Sequence, residues 1–167
     1  MAERDHPSSL AVARERRVRV LVDADACPVR TEITRAAERH GLEALFFANS
    51  SQTSAEDSRP PRRASRQTER VGDGPDAADF AIATRCREGD IVVTDDIGLA
   101  SLAASKGARA ISSRGRIFSP DLLPALLEER HRARKARRAG RRTRGPRALS
   151  DADRHRFVAA LEEMLHY

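Results

Sequence analysis

Residues 20–28 read V-L-V-D-A-D-A-C-P. A short apolar run stops at two aspartates one residue apart, and Pro28 then stands where the first turn of a helix tolerates it. The pattern is that of a buried strand delivering Asp23 and Asp25 to the rim of a sheet, where open α/β proteins hold metals and phosphates. Carboxylates this close repel one another, so they either bind a cation or shift their pKa values apart.

Upstream, Val18–Val22 makes the first strand, and residues 1–17, polar and without period, are expected to be a flexible N-terminal extension. Downstream, Val29, Ile33, Ala36 and Ala37 form the stripe of an amphipathic helix that ends at Gly41. Residues 42–48 read as a second strand. Residues 49–68, rich in Ser, Arg, Pro and Gln, read as a long loop, with a short strand around Arg70–Val71. Asp76, with Asp79 three residues on, has the position of an N-cap before a helix reaching about Arg87. Residues 90–94 are a strand that also stops at two aspartates, Asp95 and Asp96. A helix over about Gly98–Lys106 closes at Gly107, and 108–112 is expected to be the last strand. Ser119-Pro120 reads as a cap for a helix facing the core with Leu122, Leu123, Leu126 and Leu127. Ser150 and Asp153 form a second capping box before a helix with the stripe Phe157, Leu161, Met164 and Leu165. Strands alternating with helices imply an α/β fold: a mainly parallel sheet of four to five strands, helices on both faces, then C-terminal helices. Residues 18–167 are expected to form one domain.

At 167 residues the chain suffices for one hydrophobic core, built from aliphatic residues because aromatics are 4% and Trp is absent. The N-terminus has no apolar signal region and no later run approaches membrane-spanning length, so a soluble cytoplasmic protein without a membrane partner is expected. Cys27 and Cys86 are too few for a disulfide framework. Near a helix N-terminus Cys27 could become a reactive thiolate, but packing is the favoured role. The net charge of +6 is uneven: residues 130–147 carry ten Arg/Lys and no acid, leaving 21 basic against 25 acidic residues elsewhere. A basic segment on an acidic body suggests a polyanion partner, nucleic acid first.

In a sheet whose strand order reverses between the strands ending at Asp23 and Asp96, both rims face one crevice. Asp76 and Asp79 open the helix before the second of these strands. Asp23, Asp25, Asp76, Asp79, Asp95 and Asp96 are therefore candidate metal ligands, and oxygen-only donors select Mg²⁺ or Mn²⁺. Such ions serve phosphodiester cleavage. Asp76 is as suited to capping as to ligation, whereas Asp23 and Asp96 have no routine structural task in the sequence. Thr94 orients a water or finishes its strand. Arg114 and Arg116 follow the last strand and are candidates for holding a substrate phosphate.

The segments V-D-A-D-A-C-P (22–28), D-A-A-D-F-A-I (76–82), G-D-I-V-V-T-D-D-I-G-L-A (89–100), S-R-G-R-I-F (113–118) and R-G-P-R-A-L-S-D-A-D-R (144–154) resemble the YaiI/YqxD family of uncharacterised bacterial proteins, which are grouped with PIN-like domains. The similarity runs from about Val18 to the end. It implies a PIN-like three-layer α/β/α fold and a Mg²⁺- or Mn²⁺-dependent ribonuclease, in which Asp23, Asp79 and Asp96 are catalytic ligands and Asp25 and Asp76 supporting acids. The region between the first two strands lacks the clear glutamate that PIN nucleases usually carry there; Glu32 and Glu38 lie nearby.

Two other functions fit parts of the chain. Hydrophobic-D-x-D also opens haloacid dehalogenase-type phosphatases, with Asp23 as nucleophile and Asp25 as general acid. That chemistry needs a lysine ahead of the second acidic motif, and the only lysines, Lys106 and Lys135, come after it. The other is a non-catalytic RNA- or partner-binding module whose acids hold a structural ion. Scarce aromatics leave phosphate contacts by arginine, rather than base stacking, as its means of binding.

Overall fold

The computed structural model describes residues 18–25, 27–49, 66–72, 74, 76–138 and 147–166. The expected N-terminal extension, most of the expected loop over 49–68 and residues 139–146 of the basic segment lie outside the described residues.

In chain order the elements are β1 (Arg19–Asp23), α1 (Arg30–His40), β2 (Glu43–Asn49), β3 (Arg66–Val71), α2 (Ala77–Arg85), β4 (Ile91–Val93), α3 (Ile97–Ser105), β5 (Arg109–Ile111), β6 (Ile117–Phe118), α4 (Leu123–Arg138) and α5 (Asp151–His166). The sheet order is β3-β2-β1-β4-β5-β6. The first five strands run parallel, and β6 pairs antiparallel with β5. The architecture is α/β/α, as expected, with the strand order reversing between β1 and β4. No helix among the described residues is long and apolar enough to cross a membrane.

Alternation along each strand sorts the core into two layers. Val20, Val22, Ala44, Phe46, Ile91 and Val93 face α1 and α5, which contribute Ile33, Ala36, Phe157, Leu161 and Met164. Leu21, Phe47 and Val92 face the other side, against Ile82 of α2, Leu99 and Ala103 of α3 and Leu123 of α4. Phe46, Phe47 and Phe157 are fully buried, each contributing about 2–3 kcal/mol of transfer free energy. Arg154 reaches from α5 to Glu32 of α1 at 2.9 Å. His40 and Glu162 link the same helices at 2.6 Å. At the opposite end of the sheet from the aspartates, buried Asp90 accepts hydrogen bonds from the side chain and backbone of Arg19 and from the Arg87 amide.

Four expectations are corrected. The sheet has six strands rather than four to five, because two-residue β6 is too short to show a period. The strand expected at Arg70–Val71 begins at Arg66, inside the expected loop. It is an edge strand with no fully buried residue, so R-Q-T-E-R-V carries no apolar alternation. Helix α4 starts at Leu123, after a turn in which the Leu122 and Leu123 amides donate to the Ser119 carbonyl. Of its expected apolar face, Leu123 is buried while Leu122 and Leu127 are exposed. Asp76 precedes α2 but makes no capping hydrogen bond through its side chain.

Candidate functional site

Register and alternation position the first carboxylate. Val22 pairs with Val93 across β1 and β4, so Asp23 meets Thr94 one step later. Asp23 lies on the same face as Leu21, toward α2 and α3. Thr94 is buried, and its hydroxyl donates to Asp23 Oδ2 at 3.3 Å while accepting from the Asp96 amide at 3.0 Å. One threonine thus links the ends of both aspartate-bearing strands.

Asp96 is the N-cap of α3. Its Oδ1 accepts from the Gly98 and Leu99 amides at 2.6 and 3.1 Å, a routine structural task that the sequence reading did not assign to it. Arg130 of α4 adds a bidentate contact, Nη1 to Oδ1 at 2.7 Å and Nη2 to Oδ2 at 2.8 Å. Gly98 makes room for it: a Cβ there would lie 2.9 Å from Asp96 Oδ1 and 3.2 Å from Arg130 Nη1. Burial works against the charge on Asp96, but Arg130 and the two amides outweigh it and hold its pKa below the ordinary value.

Asp23 and Asp79 are half-buried and have no ion-pair partner among the described residues. Burial, then the negative charge of Asp25, raises the Asp23 pKa, and Asp96 adds to this. Burial also pushes the Asp79 carboxyl up to about 6, with Asp23, Asp96 and Asp76 contributing and Arg130 opposing. Asp23, Asp79 and Asp96 are therefore within electrostatic reach of one another. A folded-state pKa above the ordinary 3.8 favours folding at low pH, and that stability is lost as pH rises through about 6. Asp79→Asn should accordingly stabilise the protein by about 1 kcal/mol near neutral pH, allowing for solvent screening, or about 3 °C. Thermal melts should show the gain vanishing near about pH 4; an unchanged midpoint at neutral pH would contradict the burial of this charge.

Of the remaining candidates, Asp25 and Asp95 hold loops. Asp25 accepts from the Asn49 amide at 2.8 Å. Asp95 accepts from the amide and hydroxyl of Ser113 at 2.9 and 2.6 Å, tying the end of β4 to the loop after β5. Asp76 is exposed at the start of α2. A cavity of about 30 Å³ between Asp23, Thr94, Asp95, Ser113 and Cys27 is large enough for a water molecule or a small ion. Oxygen donors suit a hard divalent cation, but of the expected catalytic ligands Asp23 lines this space and Asp79 and Asp96 do not. Among the described residues, however, no three His, Cys, Asp or Glu converge in metal-holding geometry, and Asp96 is engaged by Arg130.

Burial pushes the Cys27 thiol up to about 12, so it stays protonated, in keeping with packing rather than nucleophilic chemistry. Lys106 Nζ donates to the Ala83 carbonyl at the far end of α3 from Asp96, away from the position a phosphatase would need. Glu32 is paired with Arg154. Arg114 is drawn to Asp153 at 2.8 Å, whereas Arg116 is exposed and has no ion-pair partner among the described residues. The Ser150–Asp153 capping box forms as expected, with amide–side-chain bonds of 3.0 and 3.2 Å.

Three participants escaped the sequence reading. Arg130 was one of ten basic residues in its segment, and no local pattern marks its pairing with Asp96, 34 positions away. Asn49, at the end of β2, has a buried side-chain oxygen without a hydrogen-bond partner. Asp153 was seen only as a cap, yet it is fully buried and also gathers arginines.

The chain matches the family model described as Uncharacterized BCR, YaiI/YqxD family over residues 21–167. It is 41% identical over 150 residues to a UPF0178 protein of Vibrio campbellii, covering 89% of this chain and 98% of that one. It is 39% identical over 146 residues to a UPF0178 protein of Caulobacter vibrioides, covering 87% and 92% of the two chains. The UPF0178 protein of Halalkalibacterium halodurans is 38% identical over 146 residues, covering 87% of this chain and 89% of its own. No solved structure matches the chain. The extent of the family-model match and of these relatives leads to one assignment: the chain belongs to the YaiI/YqxD family.

Proposed function

We propose that the protein is a metal-dependent phosphodiesterase acting on RNA, with Asp23, Asp79 and Asp96 as ligands for Mg²⁺ or Mn²⁺. One observation carries this reading. Asp23, Asp79 and Asp96, from three separate segments, are half-buried and within electrostatic reach of one another near the β1–β4 switch point. Among the described residues Asp23 and Asp79 have no ion-pair partner, although no three carboxylates there converge in metal-holding geometry. Hard divalent cations select such donors. When bound, such an ion activates water and neutralises the leaving oxygen. The chain's own groups orient the site: Thr94 fixes the spacing of Asp23 and Asp96, while Asp25 and Asp95 hold the flanking loops.

Arg130 competes with a cation for Asp96. The pair is partly exposed, at 45% and 29% of the two side chains, so it contributes at most about 1 kcal/mol. Arg130→Ala should therefore tighten Mn²⁺ binding about fivefold in a calorimetric titration. Unchanged or weaker affinity would remove Arg130 from the site.

The function is tested with labelled single-stranded and structured RNA, in Mn²⁺, Mg²⁺ or chelator. Cleavage that requires metal and is lost in Asp96→Asn supports it; no metal-dependent cleavage above that variant overturns it. Turnover of p-nitrophenyl phosphate would move the chemistry toward a phosphatase. The neutralisation of Asp96 by Arg130 favours a second reading, a non-catalytic RNA-binding module. RNA binding without cleavage, lost on deleting 130–147, would select it.

A further inference from the structure

A second cavity lies beside the rim. It is about 580 Å³ and is walled by Arg114, Arg116, Arg147 and Arg156 together with Asp95 and Asp153. That volume is within the range of small-ligand sites. The wall carries four guanidinium groups against two carboxylates, an excess of positive charge. The arginines come from two distant parts of the chain, the loop after β5 and the entry to α5.

Asp153 organises them. Its side chain is fully buried and accepts from Arg114 and Arg147 at 2.8 Å each, from Arg156, and from the amide and hydroxyl of Ser150 at 3.0 and 2.8 Å. Arg147 first, then the Ser150 amide, holds this carboxyl well below the usual carboxylate range. Arg114 is fixed a second time by the Arg147 carbonyl. One buried carboxylate thus holds three guanidinium groups in place, although a single arginine would neutralise it. Gly115, between Arg114 and Arg116, packs directly on the α5 backbone, locking the loop to the helix. Asp95 lines both this cavity and the small one at Asp23, so the two spaces share a wall.

We infer that this cavity is a phosphate-binding site, in which Arg116 and Arg156 contact the ligand and Asp153 positions the arginines around it. Planar guanidinium donors in fixed array match phosphate oxygens. Two sources share that chemistry: the backbone of a nucleic-acid strand running on from the rim, or a free phosphomonoester. That the strand is a substrate rests on the proposed function; the site itself uses none of the rim ligands.

The test measures binding of a fluorescein-labelled single-stranded RNA by fluorescence anisotropy. It uses the full chain carrying Asp23→Asn, in chelator, so that the result is independent of cleavage. Arg116→Ala and Arg156→Ala should each weaken binding about fivefold to tenfold and reduce the log-affinity against log-salt slope by about one. Arg87→Ala, at the opposite end of the sheet, should leave both unchanged. Circular dichroism melts check that Arg116→Ala, which breaks no ion pair among the described residues, remains folded. Competition by unlabelled RNA but not by nucleoside monophosphate identifies the strand backbone; equal competition by the monophosphate identifies the free ester. Wild-type affinity and slope in both arginine variants, against the RNA and against the monophosphate, would overturn the site. Intact binding with no cleavage by the wild type would overturn only the nuclease reading.

Discussion

Gly115→Ala should destabilise the protein by about 4 kcal/mol, a fall of about 10 °C in the thermal midpoint. Two costs combine. Gly115 has φ +80, and a Cβ at this position would lie 2.7 Å from both Arg156 C and Phe157 N. A left-handed conformation costs a residue with a side chain about 1–2 kcal/mol. Overpacking adds about 1–3 kcal/mol, here at the upper end because the obstacle is helix backbone. Gly41 supplies the control. It has φ +62, but a Cβ there meets nothing within 4 Å. Gly41→Ala should therefore cost only about 1 kcal/mol. If the two variants melt together, the close packing of the 112–116 loop on α5 is wrong. If Gly115→Ala folds well enough to assay, it should also weaken RNA binding, because the loop carries Arg114 and Arg116.

Asp23→Asn should reduce metal-dependent RNA cleavage at least about a hundredfold, equivalent to a loss of about 3 kcal/mol of transition-state stabilisation. The substitution keeps the shape of the side chain and an oxygen that can accept from Thr94, so the β1–β4 ends stay connected. It removes one negative charge from a group of three carboxylates. It also relieves the burial and repulsion that raise the Asp23 pKa, so the variant should melt no lower than wild type near neutral pH. Loss of cleavage with unchanged or higher stability separates a functional aspartate from a structural one. A variant that cleaves normally, or that fails to fold, would remove Asp23 from the proposed chemistry.

The fold was legible where strands are buried. V-L-V and I-V-V each end at aspartates, and the two-layer core makes such runs apolar throughout, so β1 and β4 could be located along with the helices between them. Gly41 and Gly107 mark helix ends where the backbone takes a positive φ. Strand β3 was read short because an edge strand with no buried face needs no apolar alternation. Strand β6 has no signature because its two residues are too few to show a period. The candidate site was legible in part. Asp23, Asp79 and Asp96 carry local signals, because strand ends and helix starts dictate where carboxylates go. Their surroundings do not: the Arg130–Asp96 pair and the arginines on Asp153 depend on how helices and loops distant in the chain pack, and the Asn49–Asp25 contact on the pairing of β1 with β2. The capping-box pattern at Ser150–Asp153 was read correctly as local structure and concealed the longer-range role of the same carboxylate.

The central claim, that the rim aspartates form a cation site, is tested most directly by calorimetric titration of metal-free protein with Mn²⁺. The wild type should bind, and Asp23→Asn at least about tenfold more weakly, as expected when one of three charged ligands is removed. Identical isotherms for wild type and Asp23→Asn, or no binding even in Arg130→Ala, would contradict it.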